Sequence, residues 1–174
     1  MPAVGKIISK NAPPPDYFVS YTGEDTDWAV CIAWWLEGAG FSAIVQEWDF
    51  RPGHNFISMM QLGMRARHVI AILSPAYLEA HRCQQECAAA LAEDPTGAYR
   101  KLIPVRVKHC NPEGLLGPVI YIDLYAQEKD KARKIFLDGL PPRTKPLIEP
   151  PFPGDATPEY DFNTLSGRKS YDEG

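Results

Sequence analysis

The feature that most limits what this chain can become is the run His68–Leu73, HVIAIL, with five consecutive apolar side chains that include three β-branched ones. It is too short for a buried helix, and with no polar alternation it cannot keep one face in water. Such a segment belongs at the centre of a parallel sheet covered on both sides. Parallel strands need crossover connections, so helical segments must stand between the strands in sequence.

The flanking sequence supplies them. Residues 16–21 (DYFVSY) read as a short buried strand, and from Thr26 onward Trp28, Ile32, Trp35 and Leu36 recur at helical spacing. Thr22 and Asp25 offer capping side chains for that helix, and Gly38 and Gly40 supply its stop. Residues 41–46 form a second strand, 47–55 a loop broken by Pro52-Gly53, and Phe56, Met59, Met60 and Gly63 line a shorter helix. After Ser74-Pro75 a further helix places Cys83, Cys87, Ala90 and Leu91 on one face until Asp94-Pro95-Thr96-Gly97 ends it. Strands over 102–107 and 119–124 and a helix over 128–140 complete the series, while 109–118, with two prolines and two glycines, predicts no full helix. The expected fold is therefore α/β: a flavodoxin-like five-stranded parallel sheet, order 2-1-3-4-5, with helices on both faces.

A length of 174 residues suits one such core plus tails. The expected division is a polar, Pro-ended leader over 1–14, the domain over 15–140, and a linker or tail over 141–174. That tail holds seven of the chain's 17 prolines without helical or strand periodicity. It predicts a connection to a fused or partner sensor domain. The net charge of -4 and pI near 5.6 provide no basic footprint, so nucleic acid is not an expected partner. No run is long enough to cross a membrane, and the start MPAVGKIISKNAPPP lacks the apolar stretch of a secretory signal, so the expected location is cytoplasmic. Cys31, Cys83, Cys87 and Cys110 sit in apolar or helical contexts and read as reduced thiols.

Two motifs mislead. Gly38-Ala39-Gly40-Phe41-Ser42-Ala43 matches a dinucleotide fingerprint but runs from helix into strand, the reverse of a phosphate loop. Cys83 and Cys87 at i, i+4, with His81 nearby, have a metal-like spacing, yet small buried thiols fit the apolar face better. No metal is expected.

The string DYFVSYTGEDTDWAVCIAWWLEGAGFSAIVQEWDFRPGHNF resembles the opening half of bacterial TIR (Toll/interleukin-1 receptor) domains, which pair an F-[VI]-S-Y strand with a W-D-F-x-P-G-x-N loop. HVIAILSPAYLEAHRCQQECAAAL is similar to the family's I-x-x-L-S-x-x-Y passage, with a Cys and a Glu three residues apart on the helix. The resemblance covers residues 16–140. It implies one of two functions: an enzyme that cleaves the nicotinamide-ribose bond of NAD+, or a non-enzymatic scaffold that binds other TIR domains. Where the family often carries Trp before the Cys, this chain has Arg82, which leans toward the scaffold.

For the enzyme, the resemblance implies Glu86 as the catalytic carboxylate. Thr22, Gly23, Trp48, Phe50, Arg51, Ser74, Arg82 and Cys83 would be the substrate-binding residues, with NAD+ as substrate and no separate cofactor. One carboxylate suffices chemically, because the departing nicotinamide nitrogen is already cationic and needs no general acid, unlike the leaving oxygen of an ordinary glycoside. Glu86 would hold the ribose hydroxyls and stabilise an oxocarbenium-like transition state, with hydrolysis or cyclisation following. Trp48, Phe50 and Arg51 would cover the dinucleotide by stacking and charge. The implied setting is prokaryotic immune defence, switched on by self-assembly.

Overall fold

The computed structural model describes residues 12–142, 148–150, 152 and 154. Most of the expected leader and tail lies outside these residues. Among the described residues no helix is long and apolar enough to cross a membrane.

Five parallel strands form one sheet in the order β2-β1-β3-β4-β5. They are β1 (Tyr17–Ser20), β2 (Ala43–Val45), β3 (His68–Leu73), β4 (Leu102–Arg106) and β5 (Ile122–Asp123). The connecting helices are α1 (Thr26–Gly38), α2 (Gln46–Asp49), α3 (Phe56–Met64), α4 (Pro75–Glu79), α5 (His81–Glu93) and α6 (Lys129–Asp138). The predicted sheet order and two-sided cover are both observed.

Because successive strand side chains point to opposite faces, the central strands feed two cores. Tyr17 and Val19 of β1 join Ile70 and Ile72 of β3 beneath α1 and α6, where Ile32, Leu36, Ile135 and Phe136 are buried. Phe18 of β1 joins Val69, Ala71 and Leu73 on the other face, beneath α3, α4 and α5, with Tyr77, Cys83, Cys87 and Ala90. The central strand β3 pairs with β1 through Phe18↔Val69 and with β4 through Ile70↔Ile103, so both its edges and both its faces are occupied. That occupancy is why it tolerates no polar residue after His68.

The elements differ from the sequence expectation in three places. The second strand stops at Val45 and the chain turns at once into α2, because Asp49 Oδ2 accepts the Val45 N–H at 2.8 Å and closes the turn. The helix expected after Ser74 is two helices, broken at Ala80, whose backbone is extended (φ -76, ψ 111). Gln84 Nε2 donates to the Leu78 carbonyl at 2.9 Å and satisfies the acceptor left open at the break. The fifth strand shrinks to two residues at the sheet edge, where only β4 offers pairing partners.

The backbone of α3 approaches the sheet closely at Gly63. A Cβ built there would lie 2.5 Å from Phe18 Cδ2, and Phe18 is itself buried in the sheet. Gly63→Ala should therefore cost about 1–3 kcal/mol by overpacking, despite the better helix propensity of alanine. Urea denaturation of the variant checks this, and an unchanged midpoint would show that α3 can shift away at no cost.

Candidate active site at the sheet reversal

The chain passes from β1 outward to β2 and then returns past β1 to build β3. The loops leaving the carboxyl ends of β1 and β3 therefore diverge, the place where open parallel sheets bind ligands. Two buried polar groups sit there, one on each side of the reversal.

The first centres on Glu86, in the second turn of α5. Only 7% of this residue is exposed. Ser20, the last residue of β1, shares the face of Phe18 and so points toward α5, where its hydroxyl donates to Glu86 Oε2. Ser20 Oγ also lies 2.9 Å from the Tyr77 hydroxyl, which in turn lies 3.2 Å from Cys87 Sγ. The other carboxylate oxygen, Oε1, is buried and makes no hydrogen bond among the described residues; its nearest cation is Arg82 Nε at 3.7 Å, one helical turn back. Burial raises the Glu86 pKa, opposed by the Ser20 hydrogen bond and the Arg82 charge.

Arg82 connects this group to the loop after β2. Its guanidinium carbon lies 5.9 Å from the centre of the Phe56 ring, and Phe56 packs edge-on against Phe50 at 5.5 Å. Phe50, Phe56, Arg82 and Glu86 thus link the loop after β2 to α5.

The second group centres on Asp25, 1% exposed. Ser74 Oγ donates to its Oδ2 at 2.5 Å and Thr22 Oγ1 at 3.0 Å, while Lys108 Nζ, just past β4, lies 2.7 Å from Oδ1. Ser74 also caps α4 by accepting the Tyr77 N–H at 3.1 Å. Asp25 raises the pKa of Lys108 through that contact. This group ties the first loop to β3 and to the end of β4.

The residues expected at a substrate site therefore separate. Glu86, Arg82 and Cys83 gather on α5 with Phe50 near them; Thr22 and Ser74 gather around Asp25. Trp48 is half-buried against the α1–α6 core, whereas Phe50 packs toward the α3–α5 core. Gly23 and Arg51 are exposed. Burial pushes the thiols of Cys83 and Cys87 up to about 11, the reverse of an activated nucleophile. Among the described residues no three His, Cys, Asp or Glu side chains gather as metal ligands.

Sequence reasoning passed over Ser20, Tyr77, Cys87 and Lys108 as site residues and treated Asp25 only as a cap. Strand alternation carried a signal for Ser20, since it must share the face of Phe18 and of the helix bearing Glu86. Lys108 carried none. A cavity of about 520 Å³ lies at the opposite, amino-terminal end of the sheet, bordered by Asp94, Arg100, Leu102, Tyr121 and Gly139, and Glu86 is not part of it.

The comparison with known proteins settles what this architecture is. The TIR domain family matches residues 18–136. The chain belongs to the TIR domain family. No curated protein matches it. Among solved structures it is similar to the TIR domain of the Toll-related receptor TRR-2 from Hydra magnipapillata. That match has a TM-score of 0.55 and 22% identity over 63% of this chain and 84% of that one. It is also similar to a metazoan TIR-STING receptor from C. gigas, solved in complex with 2',3'-cGAMP, with a TM-score of 0.53 and 26% identity over 64% of this chain. It covers 35% of that receptor.

These relatives correct the expectation of a specifically bacterial type, since they are TIR domains of metazoan receptors. The motifs that suggested it, F-V-S-Y and W-D-F-R-P-G-H-N, build the first strand and the loop after the second.

Proposed function

We propose that this TIR domain is an interaction module, joining copies of itself or other TIR domains within a cytoplasmic signalling protein. The observation that carries the reading is the segment from Arg51 to Ser58. Every residue in it is exposed, and it carries two adjacent large apolar side chains, Phe56 at 46% and Ile57 at 66% exposure. Adjacent exposed apolar groups on a projecting loop and helix start are the anchors an interface needs. Similarity to receptor TIR domains supports the same reading. Ile57→Asp should weaken self-association by about tenfold or more, because it places an unpaired charge at the contact. Light scattering over a concentration series reads the effect, and an unchanged association constant would remove this surface from the interface.

A second reading is favoured by one specific observation, the buried Glu86 carboxylate with an oxygen free of hydrogen bonds at the sheet reversal. Under it the assembled domain cleaves the nicotinamide-ribose bond of NAD+ in an immune-defence response, by hydrolysis or cyclisation. Glu86 would face the ribose, with Arg82, Cys83 and Phe50 beside it. Thr22, Gly23, Ser74, Trp48 and Arg51 would line the rest of the rim. The Pro-rich 141–174 segment would lead to the sensor that triggers assembly.

A further inference from the structure

We infer that Ser20, Tyr77 and Cys87 are positioning residues for Glu86: they form a one-way hydrogen-bond chain that holds Oε2 and fixes the carboxylate with Oε1 turned toward Arg82.

The direction of the chain follows from counting protons. An ionised carboxylate only accepts, so the single hydroxyl proton of Ser20 is committed to Glu86 Oε2. Ser20 can then only accept from the Tyr77 hydroxyl, 2.9 Å away. With its own proton spent on Ser20, Tyr77 can only accept from the Cys87 thiol at 3.2 Å. That thiol keeps its proton at neutral pH, since burial pushes it up to about 11. Every member is buried, so water does not compete for these bonds. Each donation polarises the next, and the bond at the carboxylate is the strongest of the series.

The chain also sets orientation. Ser20 belongs to a strand paired on both sides, Tyr77 to α4, and Cys87 lies one residue after Glu86 on α5. Three elements therefore grip one carboxylate oxygen, and rotating the carboxylate requires breaking that grip. The groups facing Glu86 are Arg82, Cys83 and Cys87 from its own helix, Ser20 from β1 and Tyr77 from α4.

The consequence for catalysis rests on the NAD-cleaving reading, while the positioning itself does not. The test is a carbon-13 NMR titration of the Glu86 carboxyl in the full chain and in Ser20→Ala, Ser20→Thr and Tyr77→Phe. The Glu86 pKa should rise in Ser20→Ala, rise less in Tyr77→Phe, and stay near wild type in Ser20→Thr, which keeps the hydroxyl. A merely structural role for Ser20 would leave that titration unmoved, and an unmoved titration in Ser20→Ala overturns the inference. If Ser20→Ala does not fold, the Tyr77→Phe comparison, which removes one oxygen and keeps the ring, decides in the same way. Cleavage of NAD+ by clustered protein should fall roughly tenfold to a hundredfold in Ser20→Ala. Absence of cleavage in wild type would remove the NAD reading and leave the titration result standing.

Discussion

Under the NAD-cleaving reading, Glu86→Gln is expected to remove at least about 99% of NAD+ cleavage by clustered domain, the loss that follows removal of one preorganised electrostatic contact to a transition state. Gln keeps the shape and accepts the same Ser20 hydrogen bond, so the loss would report the missing charge. Equal cleavage by wild type and variant would end the NAD reading and leave the interaction module. The same variant should be as stable as wild type at neutral pH, or more so. The Glu86 pKa is raised above its ordinary 4.5 by burial. An acid with a raised folded value stabilises the fold below its unfolded value, and that contribution is lost as pH rises through the folded value. At pH 7 wild type therefore carries a cost that Gln escapes. Melting temperatures measured from pH 4 to 8 should show the variant's advantage appearing above about pH 4.5 and growing until Glu86 is fully ionised in the fold. Loss of activity without loss of stability would separate chemistry from folding at this residue.

Phe136→Ala should destabilise the domain by about 3–5 kcal/mol, a large part of the roughly 5–15 kcal/mol available to a domain of this kind. Phe136 is fully buried, its ring centre 5.9 Å from that of Trp35, and it joins α6 to α1 over the sheet. Removing the ring leaves a cavity that neither neighbour can fill: Trp35 is held by α1, and Ile135 and Ala132 are already buried on either side. The melting temperature should fall by about 10 °C or more. A loss below about 1 kcal/mol would mean that α6 collapses onto the sheet after truncation.

The parts of the fold legible from sequence were those encoded by local periodicity. HVIAIL demanded a central strand because no other short element buries five apolar residues in succession, and β3 is that strand. The spacing of Ile32, Trp35 and Leu36 specified both α1 and its buried face. The weak edge strand was overestimated, since Val119 to Leu124 has strand-like residues but only β4 beside it. The break at Ala80 was missed because PAYLEAHRC has no glycine and no internal proline; a side-chain amide caps the open carbonyl instead.

The site followed the same division. Glu86 was reached through the resemblance to TIR domains, which places a Cys and a Glu three residues apart on this helix. Its buried partner Ser20 is 66 residues away, and Ser74 meets Asp25 across 49 residues. Alternation and helical spacing state which faces are covered, so the amino-acid order alone determined the layers and the strand order. Hydrogen bonds between distant side chains depend on strand register and on helix docking to a fraction of an ångström. Only the tertiary structure could decide that Glu86 has one oxygen held by Ser20 and the other facing Arg82 without a hydrogen bond, and that Lys108 belongs with Asp25.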